Sequence, residues 1–372
     1  MTVKPKIHLI CAARPNFMKV APLYHELIRQ GWAHPLLVHT GQHYDANMSS
    51  DILADLNLPT PDIYLGIGSG THAEQTANVM LAYEKVCLAD PPDYIVVVGD
   101  VNSTMAVTIT AKKLLLPVAH LEAGLRSGDR TMPEEINRIV TDALSDLLWT
   151  PSPDADENLR IEGVPEARIV RVGNIMMDAY EMLRQKISAD PMLSQLGVSA
   201  GSYALVTLHR PSNVDQEDTL RPLVASLLAV AKDLKLIFPV HPRTRQRLNA
   251  FGLWSQLEQD EEVILLEPVS YIPFMSLVQQ AKLTITDSGG IQEETTYLGI
   301  PCLTLRPNTE RPITILEGTN ALSTAEQLAD QVGQILATGV RSYARPQLWD
   351  GQTAGRVVES LKMVLGKNKF KI

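Results

Sequence analysis

Residues Thr284–Pro301 read TITDSGGIQEETTYLGIP. A β-branched run ends at Asp287, the small residues Ser288, Gly289 and Gly290 make a turn, and a helical stretch from about Ile291 is stopped by Gly299. Strand, small-residue turn and helix in that order form the repeating unit of a parallel sheet with crossover helices. Two adjacent glycines let backbone N–H groups approach an anion at the helix start, and the Ser288 hydroxyl adds a donor. Glu294 lies one helical turn in, where it can accept both hydroxyls of a ribose. A plain capped turn would also use Ser288. The strand-end setting and the carboxylate favour a nucleotide diphosphate sugar. Beyond the next strand, Glu310-Arg311-Pro312 places one more cation at the same edge.

Working outward, the same rhythm recurs in both directions. YALVTLH (203–209), LKLIFPVH (234–241), EVILLEPV (262–269), KLTITDSGG (282–290) and PCLTLRP (301–307) read as five strands. Towards the N-terminus, IHLICAA (7–13), HPLLVHTG (34–41), YIVVVGD (94–100) and PVAHLEAG (117–124) read the same way, with helical stretches between them. The run 94–98 does not alternate and is rich in Val and Ile, as expected of a strand buried on both faces. The expected architecture is α/β: two Rossmann-like domains facing one another across a cleft. Their expected extents are 1–172, completed by a C-terminal helix within 354–372, and 173–353.

A length of 372 residues accommodates two such domains. Apolar residues make up 45% and charged residues 20%, which excludes disordered and fibrous classes. The net charge of −9, with no basic stripe, argues against nucleic acid as a partner. No apolar run reaches the ~18 residues of a membrane span, so no membrane partner is expected. Cys11, Cys87 and Cys302 are widely separated in apolar runs, which fits buried thiols in a reducing cytoplasm.

Other candidates fall at strand ends. Arg14 and Lys19 follow the first strand into a helix, where cations and free N–H groups suit an anion. Asp100 and Glu122 end two separate strands and are expected to converge, as acid–base groups or as ligands of a divalent metal. Glu134 has capping-box spacing from Thr131, which by itself explains its presence. His209 and His241 close strands, placed to donate to a phosphate or to be held structurally. The metal reading is weak. Gly41 interrupts His39 and His43, and His120 with Glu122 lacks a third partner. No GxGxxG opens a nicotinamide site.

The segments RPNFMKVAPL, TGQHYD, VVGDVNSTMA, HLEAGLRSGDRTMPEEINR, VTLHRPSN and LTITDSGGIQEETTYLGIPCLTLRPNTERP closely resemble the non-hydrolysing UDP-N-acetylglucosamine 2-epimerases. The motifs run in family order along nearly the whole chain. The resemblance implies two domains of the GT-B type, usually a homodimer. It also implies interconversion of UDP-N-acetylglucosamine and UDP-N-acetylmannosamine with no metal or nicotinamide cofactor. By similarity Asp100, Glu122 and Glu134 match the catalytic carboxylates, and Arg138 an active-site arginine. Arg14, Lys19, His209, Ser288, Gly289, Gly290 and Arg311 match UDP contacts, Glu294 the ribose carboxylate and Phe274 the uracil neighbour. Gln42, His43 and His241 match part of an allosteric site that binds a second UDP-N-acetylglucosamine in some relatives. This chain departs from the family at His209-Arg210-Pro211-Ser212-Asn213, where HRREN is common, and lacks an insertion between the GD and PEE motifs. These departures leave room for a UDP-2,3-diacetamido sugar. Three further readings are a hydrolysing relative, a glycosyltransferase of the same fold and a non-catalytic UDP-sugar sensor.

Overall fold

Among the described residues, thirteen short and mostly apolar strands pair only in parallel, so each must be followed by a crossover before the next. In the computed structural model, which describes residues 4–41, 52–339 and 343–368, they form two sheets. The first contains β1 (Lys6–Cys11), β2 (His34–His39), β3 (Ile63–Tyr64), β4 (Tyr94–Val98), β5 (Val118–Leu121), β6 (Leu147–Thr150) and β7 (Ile169–Arg171). Their order is β3-β2-β1-β4-β5-β6-β7. The second contains β8 (Tyr203–Thr207), β9 (Lys235–Pro239), β10 (Val263–Leu266), β11 (Leu283–Thr286), β12 (Cys302–Thr304) and β13 (Asn320–Leu322). Their order is β10-β9-β8-β11-β12-β13. Both sheets follow the doubly wound Rossmann order, with the reversal beside β1 in one and beside β8 in the other.

The chain divides into two compact units, Met1–Leu183 with Gln347–Ile372, and Arg184–Pro346. The division falls at 183 and 347 instead of the expected 172 and 353, for a physical reason. Helix Ile175–Ser188 contributes Asp178, whose carboxylate accepts the N–H groups of Thr353 (3.1 Å) and Ala354 (2.8 Å). The returning segment is further held by the Trp349 indole N–H on the Pro151 carbonyl at 2.9 Å. The final helix, Thr353–Asn368, is tied to β6 by the Trp149 indole on Ser360 at 3.0 Å. Both tryptophans are fully buried, each removing a large apolar surface from water while satisfying its single donor.

Four strands lay outside the sequence reading: β3, β6, β7 and β13. They have two to four residues each, too few to show a period. The capping box expected of Thr131 and Glu134 does not form. The Asp129 carboxylate takes both the Thr131 N–H (2.9 Å) and its hydroxyl (2.6 Å), and helix Pro133–Leu144 starts after Met132 with no side-chain cap. All three cysteines are buried and unpaired. No helix among the described residues is long and apolar enough to cross a membrane.

The backbone of the returning segment approaches Gly173 so closely that a Cβ there would lie 2.1 Å from the Leu348 carbonyl oxygen, at φ +96°. Gly163 has a similar φ of +82° but open space around it. Gly173→Ala is therefore expected to destabilise the first unit by about 3 kcal/mol, and Gly163→Ala by about 1 kcal/mol. Denaturant unfolding of the two variants measures the difference.

Candidate active site

In the first unit the site is built where β1, β4 and β5 end. Pro15 sits in the first turn of helix Arg14–Gln30, where its missing N–H costs nothing. Asn16 locks that helix start: its Oδ1 accepts the Ala13 N–H at 2.9 Å, and its Nδ2 donates to the Val98 carbonyl at 3.1 Å. One turn on, Lys19 meets Glu122 in an ion pair with both side chains about nine-tenths buried. Glu122 follows β5 directly and has a φ of +76°, a left-handed conformation that costs a residue with a Cβ about 1–2 kcal/mol. Asp100 follows β4, the neighbouring strand, and its half-buried carboxylate accepts from Arg138 at 2.5 Å. The convergence expected of Asp100 and Glu122 is thus a matter of adjacent strand ends.

Arg138 is itself buried and pairs with Glu135 at 2.6 Å. Glu135 also accepts the N–H groups of Ser127 (3.1 Å) and Gly128 (2.9 Å). Burial pushes the Glu135 carboxyl up, but the Ser127 N–H and Arg138 outweigh it and hold it below the ordinary range. Glu134 is exposed on the first helical turn. The helix therefore turns Glu135 inwards to structure and leaves Glu134 at the surface. Gln42 and His43 lie outside the described residues, as does the side chain of Arg14.

In the second unit the site is built where β8 and β11 end. Asp287 is fully buried and accepts the N–H groups of His209 and Arg210, both at 2.9 Å, with His209 Nδ1 at 2.8 Å. Burial raises the Asp287 carboxyl, yet His209 and the two N–H groups prevail and keep it ionised. The pair fixes the His209 ring and leaves Nε2 as its remaining polar atom. His241 caps helix Pro242–Ala250, and its ring lies 5.7 Å from that of His209. Burial, then His209, lowers its affinity for a proton.

Ser288 precedes helix Gly289–Leu298, as expected, but its side chain does not cap the helix. A Cβ at Gly289 would lie 2.6 Å from Glu310 Oε1 and 2.7 Å from an Arg311 nitrogen. The absence of a side chain there lets that charged pair sit against the helix start. Arg311 also pairs with Glu293 at 2.9 Å, and Glu310 with Arg306 at 2.9 Å. Glu294 is buried and receives the Tyr271 hydroxyl at 3.0 Å. Burial, reinforced by the charge on Glu293, pushes its carboxyl up to about 8. Phe274 lies three residues beyond Tyr271 on helix Tyr271–Gln280, half-buried.

Partners that the sequence reading did not assign are Asp287 for His209, Tyr271 for Glu294 and Asp142 for His120. Asp287 closes an apolar run, as Asp100 and Glu122 do, and that signal could have found it. The other meetings join residues 22 and 23 positions apart on different elements. Among the described residues, no group of three or more His, Cys, Asp or Glu is disposed to hold a metal ion.

The family model described as UDP-N-acetylglucosamine 2-epimerase matches residues 25–362. A UDP-N-acetylglucosamine 2-epimerase of Methanocaldococcus jannaschii is 39% identical, over 96% of this chain and 98% of its own. A UDP-2,3-diacetamido-2,3-dideoxy-D-glucuronate 2-epimerase of Pseudomonas aeruginosa is 38% identical, over 96% of this chain and 99% of its own. The crystal structure of the M. jannaschii enzyme with UDP-GlcNAc and UDP superposes with a TM-score of 0.87, covering 96% of this chain and 99% of that one. The chain belongs to the UDP-N-acetylglucosamine 2-epimerase family.

Proposed function

We propose that this protein is an enzyme that reversibly epimerises UDP-N-acetylglucosamine to UDP-N-acetylmannosamine at C2, by elimination and re-addition of UDP. The observation that carries the reading is the pairing at adjacent strand ends of Asp100 with Arg138 and of Glu122 with Lys19. Two carboxylates, each held beside a cation, suit removal of a proton from carbon and its return. A base takes the C2 proton as the C1–O bond to UDP breaks, giving a bound 2-acetamidoglucal. UDP then adds back to C1 while C2 is protonated on the other face. Asp100, Glu122 and the exposed Glu134 are the acid–base groups of this reading.

UDP falls to the second unit. The N–H groups at Ser288, Gly289 and Gly290, with His209 and Arg311, receive the diphosphate, on which charge builds as it leaves. By the family resemblance, Arg14 and Lys19 are read as UDP contacts. Glu294 takes the ribose hydroxyls and Phe274 stacks on uracil. The resemblance of similar strength to the diacetamido-glucuronate 2-epimerase supports a second substrate reading, a UDP-2,3-diacetamido sugar. A homodimer belongs to the same reading. It is supported by Leu81, Leu88 and Leu115, 60–89% exposed on or just beyond the packed helices His72–Ala89 and Asn102–Lys113. The buried, unpaired thiols support a cytoplasmic setting.

Incubation with UDP-N-acetylglucosamine in heavy water is expected to give UDP-N-acetylmannosamine with deuterium at C2, read by proton NMR. Free UDP accumulating with turnover would instead mark a hydrolysing enzyme, and a preference for the diacetamido sugar would establish the second substrate. Asp100→Asn and Glu122→Gln are expected to lower C2 exchange about a thousandfold while UDP still binds.

Glu294 yields a pH prediction. A carboxyl pushed up to about 8 is mostly protonated at neutral pH, whereas accepting two hydroxyls requires the ionised form. UDP binding should therefore release a proton near pH 7, and affinity should rise with pH until about 8. Calorimetry in buffers of differing ionisation enthalpy measures the release, which Glu294→Gln should abolish.

A further inference from the structure

The His120 ring is fully buried at the end of β5, two residues before Glu122. Its Nε2 lies 2.8 Å from the Gly99 carbonyl, and its Nδ1 lies 2.6 Å from Asp142 Oδ1 on helix Pro133–Leu144. A carbonyl can only accept, so Nε2 carries a proton. The other Asp142 oxygen takes the Gly124 N–H at 3.0 Å and the Arg126 guanidinium at 2.8 Å. Burial pushes the Asp142 carboxyl up, but His120, Arg126 and the Gly124 N–H outweigh it. The other ring nitrogen faces the Asp142 carboxylate, so both ring nitrogens are turned towards acceptors.

The consequence lies in the backbone. Gly99 immediately precedes Asp100, and both of its polar groups are committed to β5: its N–H to the Leu121 carbonyl at 3.2 Å and its carbonyl to His120. On the other side of the ring, Glu122 keeps its left-handed φ of +76° between fixed points. The N–H groups of Glu122 and Ala123 both reach the Trp149 carbonyl, at 3.1 and 3.0 Å, and the next N–H, at Gly124, is held by Asp142. One buried histidine–aspartate pair thus ties down the residue before one carboxylate and the residue two beyond the other. The network is anchored outwards through Arg126, whose Nε and a terminal nitrogen hold Glu162, each at 2.7 Å.

We propose that His120, oriented by Asp142, is a positioning residue that fixes the spacing of Asp100 and Glu122 for C2 proton transfer. The proposal rests on the epimerase reading above. His120 has no exposed surface and so acts through the two carboxylates. A neutral amide cannot replace it, because one of its ends would turn a carbonyl oxygen towards Asp142 or a second acceptor towards Gly99.

The test compares wild type, His120→Gln and Asp142→Asn for C2 exchange in heavy water, kcat, KM, UDP affinity by calorimetry, and thermal unfolding. The expected result for folded variants is a fall of about a hundredfold in kcat and C2 exchange, the cost of misplacing a reacting group by an ångström. KM and UDP affinity should stay within about threefold, because the interaction lost is made only in the transition state. Folded variants with near-normal kcat overturn the proposal, as do kcat and UDP affinity falling together. If His120→Gln does not fold, Asp142→Asn is read in the same way, and failure of both to fold assigns the pair to stability alone and overturns the positioning role. Wild type is assayed first: no C2 exchange there overturns the epimerase reading, and this proposal falls with it.

Discussion

Parallel pairing is the constraint on which the rest of the structure depends. Strands that run the same way leave their sheet at the same edge, and each must pass into a crossover before the next begins. In both sheets the loops that follow the strand ends therefore crowd together, at the edge where helix starts present free N–H groups. Asp100 and Glu122 are neighbours for this reason although 22 residues separate them in sequence, since β4 and β5 pair with Val98 opposite Leu121. The same geometry brings His209, after β8, beside Asp287, after β11.

Charge is distributed by the same logic. The net charge of −9 describes the surface and solubility, whereas the strand ends hold closely paired ions of both signs. Lys19 with Glu122, Arg138 with Asp100 and Glu135, and Arg311 with Glu293 and Glu310 are all largely removed from water on at least one side. Burying such charges is unfavourable on its own, and each pair is worth having for the geometry it imposes more than for stability. A group already oriented before substrate arrives does not have to reorganise during the reaction. Glu294 stands apart because burial beside another carboxylate pushes its carboxyl up to about 8, although it receives the Tyr271 hydroxyl.

Much of this was legible in the chain. The buried run of β4, the Ser288-Gly289-Gly290 turn and the Gly299 stop mark their elements by local chemistry, and local chemistry is what a sequence displays. The short strands β3, β6, β7 and β13 were not legible, because two to four residues show no period and owe their conformation to a neighbouring strand. The local rule failed at Thr131. Its capping-box spacing was correct, but Asp129 lay closer and took the hydroxyl. Glu134 and Glu135 are indistinguishable in a string, and only the helix phase turns one outwards and the other onto Arg138.

By itself, the sequence determined the α/β class, the succession of two Rossmann-like units and the family, and it named the candidate site residues. These follow from periodicity, turn residues and long motifs, which are properties of contiguous stretches. The tertiary structure alone decided who partners whom: Asp287 for His209, Tyr271 for Glu294, Lys19 for Glu122, and the His120–Asp142 clamp beneath the two carboxylates. It also supplied the cap of the last helix, Asp178 from 175 residues earlier. Hydrogen bonds and ion pairs act over about 3 Å, and which atoms come that close depends on the packing of whole elements.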